Sequence, residues 1–281
     1  MSGFSSKLRR RSSALLLTSL AVAALSASHR GVNAQQPQAG KNYTTPIPAE
    51  IFTPDTVKTS AGTFRFFDGM PDAETVRTSF ENLKFIRGYE TFLTLMPAAS
   101  IEMLRHGHAG IGVDDHTKVA LLSPLNSNPL FLTGNTDTIY GSTFFNLKDT
   151  GPLVIEIPAG LGPGTINDAF FRFVAETGAP GPDKGKGGKY LILGPDDAEP
   201  SNVGDYFVFR SPTYSNWLIL RAFLDANGMP DKAIAIYENG LRLYPYSQKG
   251  NPPQMSFIKA GEKVFNTVHA NNFEFFNELN T

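Results

Sequence analysis

The chain has no cysteine, which removes thiolate zinc sites, iron–sulfur clusters and cysteine nucleophiles from consideration. It has a single tryptophan and no His-Glu-x-x-His or Gly-x-Ser-x-Gly run, so the commonest zinc-protease and serine-hydrolase signatures are missing too. Neither charge sign is in excess. A net charge of −1 offers no basic footprint for nucleic acid and no polybasic face for anionic lipid. The apolar stretch from Ser13 to Ala27 falls short of the roughly 20 residues that a membrane-spanning helix needs.

That short stretch reads as the core of an export signal. Lys7, Arg9, Arg10 and Arg11 precede it as a basic region, and Val32-Asn33-Ala34 supplies small residues for cleavage after residue 34. The expected product is a soluble periplasmic or secreted protein with no membrane span. Its remaining residues are enough to bury a core without disulfides.

Residues 35–60 carry Pro37, Pro46, Pro48 and Pro54 and read as an extended linker. A globular domain over residues 61–250 follows. Pro71-Asp72 opens a helical pattern in which Val76, Phe80, Leu83, Ile86, Phe92, Leu93 and Met96 recur at three- and four-residue spacing. Pro97 is expected to stop it, with a second short helix over 98–106. From Val119 the pattern becomes one of short apolar runs between Gly, Pro, Asn and Asp clusters, as in antiparallel strands and their turns. These runs are 119–122, 139–145, 153–157, 166–176, 190–193 and 206–210. In the run 166–176 apolar Ala169, Phe171, Phe173 and Ala175 alternate with Asp168, Arg172 and Glu176, which predicts one core face and one polar face. Helix is expected again over 217–224, after Pro230-Asp231, and over 272–279. The fold class is therefore α+β: N-terminal helices packed on a mainly antiparallel sheet or sandwich, with helices returning at the end. The last helix, with Phe273, Phe275 and Phe276, needs a partner surface, so residues 251–281 read as an oligomerising segment or the start of something truncated.

Few motifs carry chemistry. Gly160-Leu161-Gly162-Pro163-Gly164 lacks the spacing and the following helix of a dinucleotide loop. Residues 181–189 lack Walker spacing, yet Lys184 and Lys186 among glycines could cradle an anion; a solvated hairpin loop is the plainer account. His106, His108, Asp114, Asp115 and His116 cluster, but in a Gly-rich loop that reads as surface. Neither a metal nor a cofactor is expected. Residues 134–140 place Asn135, Asp137, Thr138 and Tyr140 at the mouth of a strand. They make either a polar site or an Asx turn that only satisfies the backbone.

The pattern Asn135-x-Asp137-Thr138-x-Tyr140, followed by residues 151–158 (GPLVIEIP), resembles the exported bacterial family known as domain of unknown function 1254. Residues 181–191, Arg210-Ser211-Pro212-Thr213-Tyr214 with Arg221, and Leu241-Arg242-Leu243-Tyr244-Pro245 are similar to one branch of it. Ala169-Phe170 departs from that branch, where a tryptophan is expected. The resemblance implies a fold, an export route and a following β-rich domain, numbered 1214, which this chain would lack. It implies no settled activity.

Three functions fit these residues. The first is an enzyme, hydrolase-like, acting on a small polar or anionic substrate. Asp137 would be general acid or base, Tyr140 a hydrogen-bond donor and Arg172 a clamp, with Asn135, Thr138, Lys184, Lys186, Arg210 and Arg221 binding. The second is a cell-envelope module that binds the same ligand without chemistry. The third is an assembly protein that forms homo-oligomers through the C-terminal helix.

Overall fold

The computed structural model describes residues 46, 48–51, 54–132 and 134–280. The export signal expected over residues 1–34 and most of the expected linker lie outside the described residues. The chain divides into two units between Asp72 and Ala73. The first contains an antiparallel meander of β1 (Thr56–Thr59), β2 (Gly62–Phe67) and β3 (Met70–Pro71). The Thr59 hydroxyl ties the first turn, accepting from the Ala61 N–H and donating to the Gly62 carbonyl.

The second unit begins with α1 (Ala73–Gly110) and continues through β4 (Lys118–Leu122), β5 (Pro129–Leu130) and β6 (Thr138–Asn146). A short α2 (Leu147–Thr150) leads to β7 (Leu153–Pro158), β8 (Gly164–Asp168), β9 (Phe173–Thr177), β10 (Gly187–Leu193), β11 (Tyr206–Arg210) and β12 (Ser215–Phe223). Then come α3 (Asp231–Gly240), β13 (Arg242–Pro245), β14 (Ser256–Lys259), β15 (Phe265–Asn266) and α4 (Glu274–Glu278). The architecture is α+β. A six-stranded sheet in the order β14-β4-β6-β12-β8-β9 faces a four-stranded sheet in the order β11-β10-β7-β13. Most pairs are antiparallel, with parallel pairing of β14 on β4 and of β11 on β10.

The main core lies between these sheets. Ile139 and Phe145 of β6 and Leu218, Leu220 and Ala222 of β12 meet Leu153, Ile155 and Ile157 of β7 and Tyr190 and Ile192 of β10. Tyr237 of α3 closes one side. On the other face of the six-stranded sheet, Tyr140, Phe144 and Trp217 pack with Ile101 and Leu104 of α1. Each strand therefore buries both faces where α1 covers it, and its sequence loses the alternation of a half-exposed strand.

Three elements differ from the sequence pattern, each for a physical reason. Helix α1 continues through Pro97 for 38 residues. Proline removes one donor and costs about 3 kcal/mol in a helix interior. Burial of Ala99, Ile101 and His108 beyond it outweighs that cost. Residues 217–223 form β12 rather than a helix: the apolar run Trp217 to Leu220 packs on both faces of the sheet, while Arg221 and Phe223 beyond it are exposed. The single strand expected over 166–176 is a hairpin, β8 and β9, with Phe171 at φ 60° in its turn. Consequently Asp168 is buried while Phe171 and Phe173 are exposed. Among the described residues, no helix is long and apolar enough to cross a membrane.

Candidate functional site

The mouth of β6 is built by one side chain. Asn135 Oδ1 accepts from the Asp137 N–H at 3.0 Å, the Thr138 N–H at 3.1 Å and the Thr138 hydroxyl at 3.1 Å, an Asx turn. The Asn135 N–H donates to the Tyr140 hydroxyl at 3.2 Å. Asn135 and Thr138 thus shape the turn, and Asp137 is left exposed at its outer edge with no side-chain hydrogen bond. The phenol is buried and its ring packs on Phe131.

Register brings the arginine. β12 pairs with β6 so that Arg221 lies opposite Tyr140. The guanidinium carbon sits 5.3 Å from the centre of the Tyr140 ring, a cation–π contact. The side chain is exposed and has no hydrogen-bond or ion-pair partner. It lines a recess of about 210 Å³ with Pro163, Gly164, Thr165, Glu176, Pro180 and Ile219. Glu176 is half-buried there, and no salt bridge joins it to Arg221. A cation and an anion therefore share one small recess, each left to find another partner.

Backbone proximity forms the wall. Gly162 has φ 114° and Gly178 φ 79°. A Cβ on Gly162 would come within 2.7 Å of the Gly178 Cα, so the two segments can touch only as glycines. The Gly162 N–H donates to the Arg221 carbonyl at 2.7 Å, and the Arg221 N–H to the Pro163 carbonyl at 3.1 Å. Gly162 and Pro163 thus hold the Arg221 backbone in place.

Residues 116–245 match the family model described as "Protein of unknown function (DUF1254)". The segment matches DUF1254. This is the family whose motifs the sequence resembles, and every residue of the recess lies inside the matched region. A search of curated proteins finds no match. Among solved structures, the VPA0106 protein of Vibrio parahaemolyticus aligns at 13% identity over 66% of this chain and 44% of its own, with a TM-score of 0.42. An uncharacterized protein from Burkholderia cenocepacia aligns at 12% identity over 66% and 46%, with a TM-score of 0.27. The chain spans less than half the length of these two.

The remaining site residues of the DUF1254 region lie apart from the recess. Arg172 Nε donates to the fully buried Asp168 carboxylate at 2.7 Å, and that carboxylate also accepts from the Phe170 and Arg172 N–H groups. This closes the β8–β9 turn. Arg210 donates to the carbonyls of Gly194 at 2.6 Å and Asp197 at 2.8 Å, latching one loop. Lys184 and Lys186 sit in a loop held by Asp183, whose carboxylate accepts from the Tyr190 hydroxyl at 2.8 Å. Burial, followed by this bond, raises the Tyr190 phenol above its ordinary range. Of the nine residues singled out from sequence, the structure joins Asn135, Thr138, Tyr140 and Arg221. Glu176 and Thr165 complete that corner; the polar side of the alternating run was a signal for Glu176, whereas Thr165 lies outside that run and had none.

A larger cleft of about 780 Å³ is lined by Glu102, Arg105, Asp114, Asp115, His116 and Asp149, among others. Its charges are mostly spent within the chain: Glu102 binds Arg105, and Asp114 and Asp115 bind Lys118. His108, buried behind it, keeps Nδ1 2.8 Å from the Leu104 carbonyl. Burial lowers its pKa to about 4. Among the described residues no group of His, Asp and Glu is placed to hold a metal ion.

Proposed function

We propose that the protein is exported to the periplasm or beyond and that its DUF1254 region binds a small anionic or polar ligand in the Arg221 recess. The observation that carries this is a guanidinium held by an aromatic ring and left without a counter-ion. Arg172 and Arg210 spend their donors on the chain itself. Arg221 keeps its donors for something else. A carboxylate or phosphate oxygen there would accept charge-assisted hydrogen bonds from the guanidinium, which are stronger than neutral ones. The recess is smaller than the ~300 Å³ of a typical drug-sized site, which restricts the ligand to a few heavy atoms. The basic region, short apolar core and small residues at 32–34 support export.

A second reading is catalytic. Glu176 lines the same recess, so a hydrolase-like reaction would use Glu176 as its acid or base, with Arg221 fixing the substrate. Asp137 does not line it. Binding is the primary reading because it needs only the free cation.

The test is thermal stabilisation of the purified protein by small carboxylates, phosphate esters and dipolar amino acids. A ligand at 100 times its dissociation constant adds about 2.7 kcal/mol. Arg221→Gln should abolish the stabilisation and Arg210→Gln should keep it whenever that protein folds. Stabilisation that survives Arg221→Gln would place the ligand elsewhere. Turnover lost in Glu176→Gln with binding retained would favour the catalytic reading.

A further inference from the structure

We propose that the protein forms a two-fold homodimer through the aromatic groove where α1 meets the C-terminal helix. Phe85, Gly88, Tyr89 and Phe92 of α1, with Phe273 and Phe276, line a groove of about 670 Å³. Helix α4 is already seated within the chain. Phe275 is fully buried, its ring 4.7 Å from that of Phe92. What stays open is the aromatic rim: Phe85 is 76% exposed, Phe273 78% and Tyr89 59%.

The area fits a dimer. Aromatic side chains carry about 150–250 Å² each, so this rim exposes on the order of 450 Å² of apolar surface. A standard interface takes about 800 Å² per partner, a little over half of it apolar. The groove therefore supplies the whole apolar share of such an interface from one patch.

Shape selects a second copy as the occupant. A Cβ on Gly88 would meet nothing within 4 Å, so the helix backbone is bare between the Phe85 and Phe92 rings. The same patch carries the knobs, Phe85 and Phe273, and the notch, Gly88. A two-fold axis sets the knob of each copy into the notch of the other, as an isologous contact requires. The charges along this part of α1 balance as well. Glu74 pairs with Arg77 and Glu81 with Lys84, and Arg87 and Glu90 offset each other in sign. On α1 the charges therefore set up no repulsion between copies, and on α4 the Glu274 carboxylate accepts from the Asn277 amide and that of Glu278 from the Ala270 N–H.

Sedimentation of the purified protein at micromolar concentration tests this, independently of any ligand at Arg221. The expected mass is that of two protomers. Gly88→Arg puts a long charged side chain into open space and replaces glycine by a better helix former, so far-UV circular dichroism should be retained while the mass falls to one protomer. Phe85→Glu should do the same. Phe80→Glu, on another side of α1, should leave the dimer intact. A wild-type protein that sediments as one protomer overturns the proposal. So does a Gly88→Arg protein that stays paired, or dissociation by Phe80→Glu alone.

Discussion

Tyr237 lies flat against Gly141: its hydroxyl accepts from the Gly141 N–H at 3.1 Å and donates to the Leu220 carbonyl at 2.9 Å. Gly141 and Leu220 face each other across β6 and β12, so one phenol of α3 bridges the two central strands. A Cβ on Gly141 would come within 2.3 Å of the ring. Gly141→Ala should therefore destabilise the protein by about 1–3 kcal/mol through overpacking. Tyr237→Phe should also destabilise it, by about 1 kcal/mol, through loss of the two hydrogen bonds of this bridge. Urea denaturation would read both, and a change below a few tenths of a kcal/mol for either would contradict the contact.

Pro97 is an exposed imide inside a helix whose next turns are anchored on the sheet. Pro97→Ala restores a donor and relieves the ring's clash with the preceding turn. The expected gain is about 1–3 kcal/mol in unfolding free energy. Loss of stability in this variant would show that the ring, not the helix around it, is what the site requires.

How much of this could be read beforehand depended on the kind of contact. The runs at 153–157 and 190–193 were legible as strands because valine, isoleucine and leucine stand between clear turn residues. Residues 217–223 were not, since Trp217 to Leu220 is an apolar run packed on both faces, with no alternation to distinguish it from a buried helix. Asp168 read as a solvent-facing residue of a long strand. The hairpin turned it inward, and three donors within four residues hold it there. At the candidate site, Tyr140 and Arg221 were each visible by residue type, but only the β6–β12 register makes them neighbours. Three arginines looked alike in sequence. Backbone carbonyls distant along the chain decide that Arg210 is structural, and a sequence motif does not record them.

His108 gives the stability a pH dependence. Its pKa is lowered to about 4 by burial, against an ordinary value of 6.5. Below pH 6.5 the unfolded chain takes up a proton that the folded state refuses, so unfolding becomes easier as pH falls. The contribution is fully present above pH 6.5 and is lost progressively toward pH 4. The shift corresponds to on the order of 3 kcal/mol. His108→Leu should flatten this part of the profile relative to wild type. Equal slopes for the two proteins between pH 4 and 6.5 would place the titration on other groups.

Arg172 and Arg221 provide the sharpest contrast within one sheet. The Asp168 carboxylate that Arg172 caps is fully buried and also accepts two backbone N–H bonds. Asp168→Ala should cost about 3 kcal/mol or more, because the whole turn loses its acceptor. Arg172→Ala should cost less, roughly 1–2 kcal/mol, since its own side chain is mostly exposed and the backbone donors remain. Arg221→Ala removes only an exposed cation–π contact and should stay within about 0.5 kcal/mol of wild type. Denaturant midpoints for the three variants would order them Asp168, Arg172, Arg221. A large loss at Arg221 would mean that its guanidinium supports the fold, and the recess would then lose its one uncommitted cation.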